Sequence, residues 1–328
     1  MITVIIPCRN EKDFIDLCLD SVVTQDYPKT ELEVLVVDGM SEDGTREIVE
    51  DYERKYHFVR ILDNPKRITP SALNIGVNNA KGEVIVIIGS HSRYEKGYIT
   101  KCVKYLNEYN VDNIGGVITT FPRNNTLMGK AIANALSSPF GVGDSTFRTG
   151  SKEPKWVDTV FGGCYRKEIF EKIGLFNENL QKGQDFEFNN RLRKTGGKIL
   201  LVPEIESYYY ARSTLDKTFY KYYFGEGFWA VYPVRFVGRR FICLWRLVPF
   251  IFVLSLIGTG ILAIFFTFFW WLFLSIIGLY FLANLCASIK ISTKEKDFRY
   301  LIDLPIVFAS IHISYGIGTA YAILKLLL

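Results

Sequence analysis

Residues 3–11 read TVIIPCRNE, and residues 34–45 read VLVVDGMSEDGT. Each begins as a run of β-branched and aliphatic residues and breaks off into polar, ionisable and glycine residues. A short apolar run bounded by turn formers is the pattern of a strand buried on both faces. Working outward from these two, strands are expected at 3–6, 33–37, 59–62 and 84–88, separated by helices at 12–24, 45–55 and 70–80. Strands alternating with helices build right-handed βαβ units and a parallel sheet, so the fold class is α/β.

Such sheets bind ligands beyond the carboxyl ends of their strands. The residues at those ends are Pro7-Cys8-Arg9-Asn10-Glu11, the loop from Asp38 to Thr45, Asn64-Pro65-Lys66-Arg67 and Gly89-Ser90-His91-Ser92. Asp, Ser, Asn and Gly are also ordinary turn and cap residues, so each loop alone has two readings. Four such loops on one edge point to a bound ligand.

Beyond them, the Gly/Ser-rich stretch 140–155 shows little periodicity and reads as a mobile loop, with a lid as one use. A strand at 156–161, helices at 167–173 and 185–194, and a final strand at 198–202 follow. Residues 214–232 are thick with aromatic side chains and carry Lys217 and Lys221. That composition suits a helix lying in the headgroup layer of a membrane; a buried helix packed on the main domain is the other reading.

The order V-I-I-P-C-R-N-E, V-V-D-G-x-S-x-D-G-T and A-L-N-x-G ending in A-K-G-E resembles the inverting family 2 glycosyltransferases with the GT-A fold. Within them it is most similar to the membrane-bound branch of the succinoglycan-pathway glucosyltransferases, over residues 3–229. The resemblance implies that Pro7, Arg9, Glu11 and Asp38 hold the nucleoside of a nucleotide-diphosphate sugar. A carboxylate there would accept hydrogen bonds from a base N–H or ribose hydroxyls. Arg67 would offset the diphosphate, a solvent-exposed turn arginine being the other reading. Ser90 falls among the same donor contacts.

The family carries D-x-D, or D-x-H in this branch, after the fourth strand, so that a carboxylate helps hold a divalent cation. Here the tripeptide is Gly89-Ser90-His91. Three outcomes stay open: His91 still ligates Mn²⁺ or Mg²⁺, a protein cation takes over, or the chain is an inactive relative. Against inactivity stands Gly183-Gln184-Asp185-Phe186-Glu187, which resembles the family's E-D helix start and matches Asp185 to its general base. A first-turn Asp favoured by the helix dipole is compatible with that role. Trp156 to Gly163 resembles the strand beneath the acceptor site, where Gly162 and Gly163 would let substrate approach the backbone, a β-bulge being the plain alternative. Arg212 matches an Arg-Ser pair of this branch and would face an acceptor phosphate.

Of the 328 residues 49% are apolar. Residues 247–289 contain no Asp, Glu, Lys or Arg, which is twice the roughly 20 residues one span needs. With 304–324 this makes three spans, the first two joined by a turn near 268–271. The resulting domains are 1–210 (GT-A), 211–241 (interfacial amphipathic connector) and 242–328 (membrane). Arg235, Arg239, Arg240 and Arg246 precede the first span, and Lys290, Lys294, Lys296 and Arg299 follow the second. That asymmetry, with no signal peptide at 1–10, puts the catalytic domain in the cytoplasm of a multi-pass protein of the cell membrane. The net charge of +5 reads as attraction to anionic lipid, with no nucleic-acid partner expected. Cys8, Cys18, Cys102, Cys164, Cys243 and Cys286 show neither zinc spacing nor a disulfide framework. His312 is expected to be buried against a neighbouring helix, and His57 to lie at the surface.

The function expected is transfer of a sugar from a nucleotide-diphosphate sugar to a lipid-linked saccharide in glycan assembly, with a divalent cation as cofactor. The rivals are a polyprenyl-phosphate glycosyltransferase and a non-catalytic nucleotide-sugar-binding membrane protein.

Overall fold

The computed structural model describes residues 1–238 and 241–328; Arg239 and Arg240 of the basic cluster lie outside them. Contacts divide the chain into two compact units, Met1–Thr119 with Thr146–Tyr210, and Thr120–Ser145 with Ala211–Leu328. In chain order the elements begin β1 (Ile2–Cys8), α1 (Ile15–Val23), β2 (Leu32–Asp38), α2 (Thr45–Lys55), β3 (Val59–Asp63), α3 (Thr69–Asn79), β4 (Val84–Ile87), β5 (Ser92–Tyr94), α4 (Tyr98–Glu108) and β6 (Asn113–Pro122). They continue α5 (Leu127–Leu136), α6 (Pro139–Val142), α7 (Thr146–Thr149), β7 (Lys155–Trp156), β8 (Cys164–Arg166), α8 (Glu168–Ile173), α9 (Gln184–Lys194) and β9 (Ile199–Ala211). Last come α10 (Lys217–Val231), α11 (Val234–Val237), α12 (Val248–Ala263), α13 (Phe268–Glu295) and α14 (Tyr300–Leu327).

The strands of the first unit form one sheet in the order β3-β2-β1-β4-β8-β6-β9-β5, with β7 paired to β9. The four strands expected from the loops are parallel and in step, Ile2 opposite both Leu32 and Val84. Beyond β4 the sheet turns antiparallel, through β4–β8, β6–β8 and β5–β9. Strand side chains alternate between two apolar layers: Val4, Ile6, Val34 and Val36 lie in one, and Ile5, Leu35 and Val37 in the other. Burial on both faces is why these strands read as unbroken apolar runs.

Four local expectations are corrected. The strand expected at 156–161 shrinks to β7, and the pairing strand is β8, which starts only after left-handed Gly162 (φ +67°) and Gly163 (φ +110°). The loop at 140–155 contains two single-turn helices, α6 and α7. The final strand runs through Ala211 rather than stopping near 202, because the tyrosines at 208–210 continue the β pattern. The break between the first two apolar helices falls at 264–267, and 268–271 begins α13.

In the second unit three helices are long and apolar enough to cross a membrane: Leu244–Ala263 including a 3₁₀ turn, Phe268–Glu295 and Tyr300–Leu327, of 20, 28 and 28 residues. Large apolar side chains such as Ile251, Leu254, Phe281 and Leu282 point outward on α12 and α13. The aromatic segment becomes α10, which packs tightly along α14. A Cβ on Gly227 would sit 1.9 Å from the Tyr315 carbonyl oxygen, and one on Gly318 2.0 Å from that of Phe224. Small residues at such crossings let backbones touch, and Thr319 Oγ1 donates to the Gly227 carbonyl at 2.9 Å. His312 is held as expected, between Tyr280 Oη (2.9 Å) and the Phe140 carbonyl (2.8 Å). His57 is exposed.

Candidate active site

The loops after β1 and β2 are stitched together by side chains. Asn10 N–H donates to Ser41 Oγ (2.9 Å), Glu11 N–H to Thr45 Oγ1 (2.8 Å) and Glu42 N–H to Asn10 Oδ1 (3.0 Å). Asp38, at the end of β2, is fully buried. Its carboxylate accepts from the Ser41 N–H at 3.2 Å, the Ser41 hydroxyl at 2.5 Å and the Arg46 guanidinium at 3.4 Å. It is therefore committed to shaping this loop. Burial, and next the Asp38 carboxylate beside it, push the Cys8 thiol well above the ordinary range, so Cys8 is an inert neutral neighbour.

Pro7 lies within β1 opposite Val37. Arg9 is exposed after it and donates to the Arg67 carbonyl at 3.4 Å. Arg67 has left-handed φ (+58°) and stands 3.7 Å from Glu42. The first three loops thus converge on one edge, with two arginines facing solvent there.

The fourth loop joins them through His91, whose Nδ1 is 3.4 Å from Glu11 Oε1. That nitrogen is shielded from solvent and makes no hydrogen bond; the pair is close, but no N–H is aligned on the carboxylate. Ser90 beside it is buried. No cluster of three or more His, Cys, Asp or Glu side chains suited to a metal occurs among the described residues. The orphaned nitrogen and the carboxylate nonetheless fit two donors to one ion, since ligands at about 2.2 Å from a cation stand roughly 3 Å apart. The ring of Tyr209 packs edge-on to His91, with centroids 5.2 Å apart, and is edge-on again to Phe161.

Asp185 sits in the first turn of α9, after left-handed Gly183, where the helix dipole favours an ionised carboxylate. One turn on, Asn189 is fully buried. Its Oδ1 accepts from Asn113 Nδ2 (3.0 Å) and Tyr165 Oη (3.2 Å), and its Nδ2 donates to Thr159 Oγ1 (2.9 Å). This network fixes the roll of α9 and with it the direction of Asp185. Burial first, and Asp185 second, push the Tyr165 phenol up.

Gly162 and Gly163 are accounted for by the chain itself. A Cβ on Gly162 would lie 2.4 Å from the Ile87 carbonyl oxygen, and the Gly163 carbonyl accepts from Ile87 N–H at 2.9 Å. The space at Gly162 is filled by β4, and a Cβ on Gly163 would meet the Tyr165 ring at 2.6 Å. Arg212 belongs to the second unit, exposed, donating to Thr218 Oγ1 at 3.2 Å beside the Tyr222 ring. The first unit therefore brings together Pro7, Arg9, Glu11, Asp38, Arg67, Ser90 and His91, and positions Asp185 separately through α9. Sequence reasoning missed Arg46, Asn189 and Tyr209, since each acts through a partner distant in the chain.

Comparison with known proteins agrees with this architecture. The chain is 34% identical to the dolichyl N-acetyl-alpha-D-glucosaminyl phosphate 3-beta-D-2,3-diacetamido-2,3-dideoxy-beta-D-glucuronosyltransferase of Methanococcus voltae, over 96% of this chain and 95% of that one. It is 30% identical to the succinoglycan biosynthesis protein ExoA of Rhizobium meliloti, over 68% of each. Its fold is similar to that of the mannosyltransferase PcManGT from Pyrobaculum calidifontis, solved in complex with GDP-Man and Mn²⁺, with a TM-score of 0.62 at 18% identity over 98% of this chain and 86% of that one. The profile described as "Glycosyl transferase family 2" matches residues 3–174. The chain belongs to glycosyl transferase family 2 and is a glycosyltransferase with a GT-A domain.

Proposed function

We propose that this enzyme transfers a sugar, with inversion, from a nucleotide-diphosphate sugar to a hydroxyl of a lipid-linked saccharide during glycan assembly. The observation that carries the reading is the extent of the first likeness. Identity to an enzyme named for a dolichyl-phosphate-linked acceptor runs over 96% of the chain, through the three apolar helices as well as the sheet unit. Along α14 a groove of about 610 Å³, lined by Tyr280, Phe281, Pro305, Ile306, Ile313 and others, offers apolar surface to an isoprenoid chain.

The donor site is the edge where the β1, β2, β3 and β4 loops meet. Pro7, Arg9 and Glu11 border the nucleotide, Asp38 holds its loop in shape through Ser41, and Arg67 and Ser90 flank the diphosphate. When bound, a divalent cation held by His91 and Glu11, Mn²⁺ suiting the imidazole better than Mg²⁺, supplies charge to offset the leaving diphosphate. Asp185 takes the proton of the acceptor hydroxyl as that oxygen attacks the anomeric carbon. The new C–O bond forms on the face opposite the breaking bond to phosphate, so the configuration inverts. Gly162 and Gly163 serve the acceptor side by holding Phe161 against β4, and Arg212 would meet an acceptor phosphate.

Replacing Asp185 by Asn, which keeps the shape and removes the base, should lower kcat by roughly 10²–10⁴-fold with little change in donor KM. A near-normal rate would favour an acceptor that is already anionic, a polyprenyl phosphate. We infer that the GT-A domain faces the cytoplasm; Lys290, Lys294, Lys296 and Arg299 between the second and third apolar helices support this. Protease added to sealed inside-out vesicles should digest it; protection there, with digestion in right-side-out vesicles, would reverse the orientation.

A further inference from the structure

We propose that Arg148 is a diphosphate-binding residue of the donor site, supplying positive charge from the protein beside the cation that His91 and Glu11 would hold. This rests on the donor-site reading above. Arg148 lies on α7, and its guanidinium stacks on the Tyr209 ring at 4.9 Å from the centroid. Tyr209 is the ring packed against both His91 and Phe161. The tip of Phe161 stands 3.5 Å from where a Cβ on Gly89 would be. One aromatic cluster therefore ties Arg148 to the end of β4.

Within that cluster the Arg148 Nη1 is buried and has no hydrogen-bond partner among the described residues. A buried guanidinium N–H left unmade is costly, and what satisfies it is an anion. The β4 tripeptide contributes no carboxylate, and the acid recorded beside His91, Glu11, faces the imidazole. Arg148 and His91 thus share the Tyr209 ring at the edge where the leaving group of the donor would lie. A planar guanidinium offers paired N–H donors that match phosphate oxygens, and stacking on Tyr209 fixes its plane.

The test uses the full chain in lipid nanodiscs, with UDP and GDP as probes, measured by calorimetry in EDTA and again in Mn²⁺. The wild type should bind one of the two in EDTA. Arg148→Gln should weaken that binding at least about tenfold, well beyond any small change in ligand-free Tm from the lost stacking on Tyr209, and Arg148→Lys should recover part of it. Unchanged nucleotide affinity in Arg148→Gln overturns the assignment while leaving the proposed transfer reaction standing. A raised KM for lipid-linked acceptor with unchanged UDP or GDP affinity also overturns it, moving the residue to the acceptor phosphate. A Tm loss restored by Lys, without any change in affinity, would make Arg148 structural. Failure of the wild type to bind either nucleotide with or without Mn²⁺ would remove the donor site itself, and this inference with it.

Discussion

At the scale of single residues, Gly89 stands where the resemblance implies an acid, and its surroundings leave room for one. Its φ is not in the left-handed range, and a Cβ would meet nothing nearer than 3.5 Å. No steric reason forbids an acid. Gly89→Asp adds a carboxylate one residue from Ser90 and two from His91, and adding an anionic ligand tightens a hard cation. Mn²⁺ stimulation of transfer should then saturate at a concentration lower by on the order of tenfold, read from activity against MnCl₂. An unaltered titration would mean that His91 and Glu11 do not hold a cation here. Gln184 is the other position where the resemblance implies an acid; it begins α9 beside Asp185, and Glu187 shares that first turn.

Elements were legible in the sequence in proportion to how local their causes are. The helix expected at 45–55 is α2 to the residue, because Asp43 Oδ1 accepts from Thr45 N–H at 3.0 Å and Gly44 takes the left-handed turn that starts it. The parallel half of the sheet was legible because strands buried on both faces need continuous apolar runs. Of the antiparallel half, only the start of β9 was legible, at 198–202. β5, β7 and β8 are two or three residues long, too short for any period to register, and their pairing is fixed by partners as far apart in the chain as Ser92 and Tyr209. Of the site, the four loop ends were readable as motifs, whereas Asn189, Arg46 and Arg148 carry no local signature and emerge only from packing.

The helix α10 shows the same limit. Its aromatic and basic composition suits an interface, but Gly227, Gly318 and Thr319 decide where it packs, and glycine in an apolar helix has several readings. Gly318→Val would drive a Cβ into the Phe224 carbonyl at 2.0 Å. Overpacking against backbone has no side chain to yield, so the cost should exceed the usual 1–3 kcal/mol of roughly one or two added methylenes. In detergent the variant should lose its monodisperse peak or melt well below the wild type. A retained Tm would mean that α10 does not need this contact.

For the molecule as a whole, the two units account for two requirements of one reaction. On the proposed reading, the sheet unit carries the donor loops and the Asp185 helix, while the second unit carries three helices apolar enough to cross a bilayer. A sugar acceptor that is itself anchored in lipid gives a single chain reason to carry both. The most direct measurement supplies membranes containing the full chain with a nucleotide-diphosphate sugar panel and lipid-linked saccharide acceptors, then analyses the organic-phase product by mass and by anomeric configuration. The account predicts a lipid-linked saccharide one sugar longer, its new linkage inverted relative to the donor, and its formation abolished in Asp185→Asn. Sugar recovered only on water-soluble glycans or directly on a polyprenyl phosphate, or a retained anomeric configuration, would contradict it.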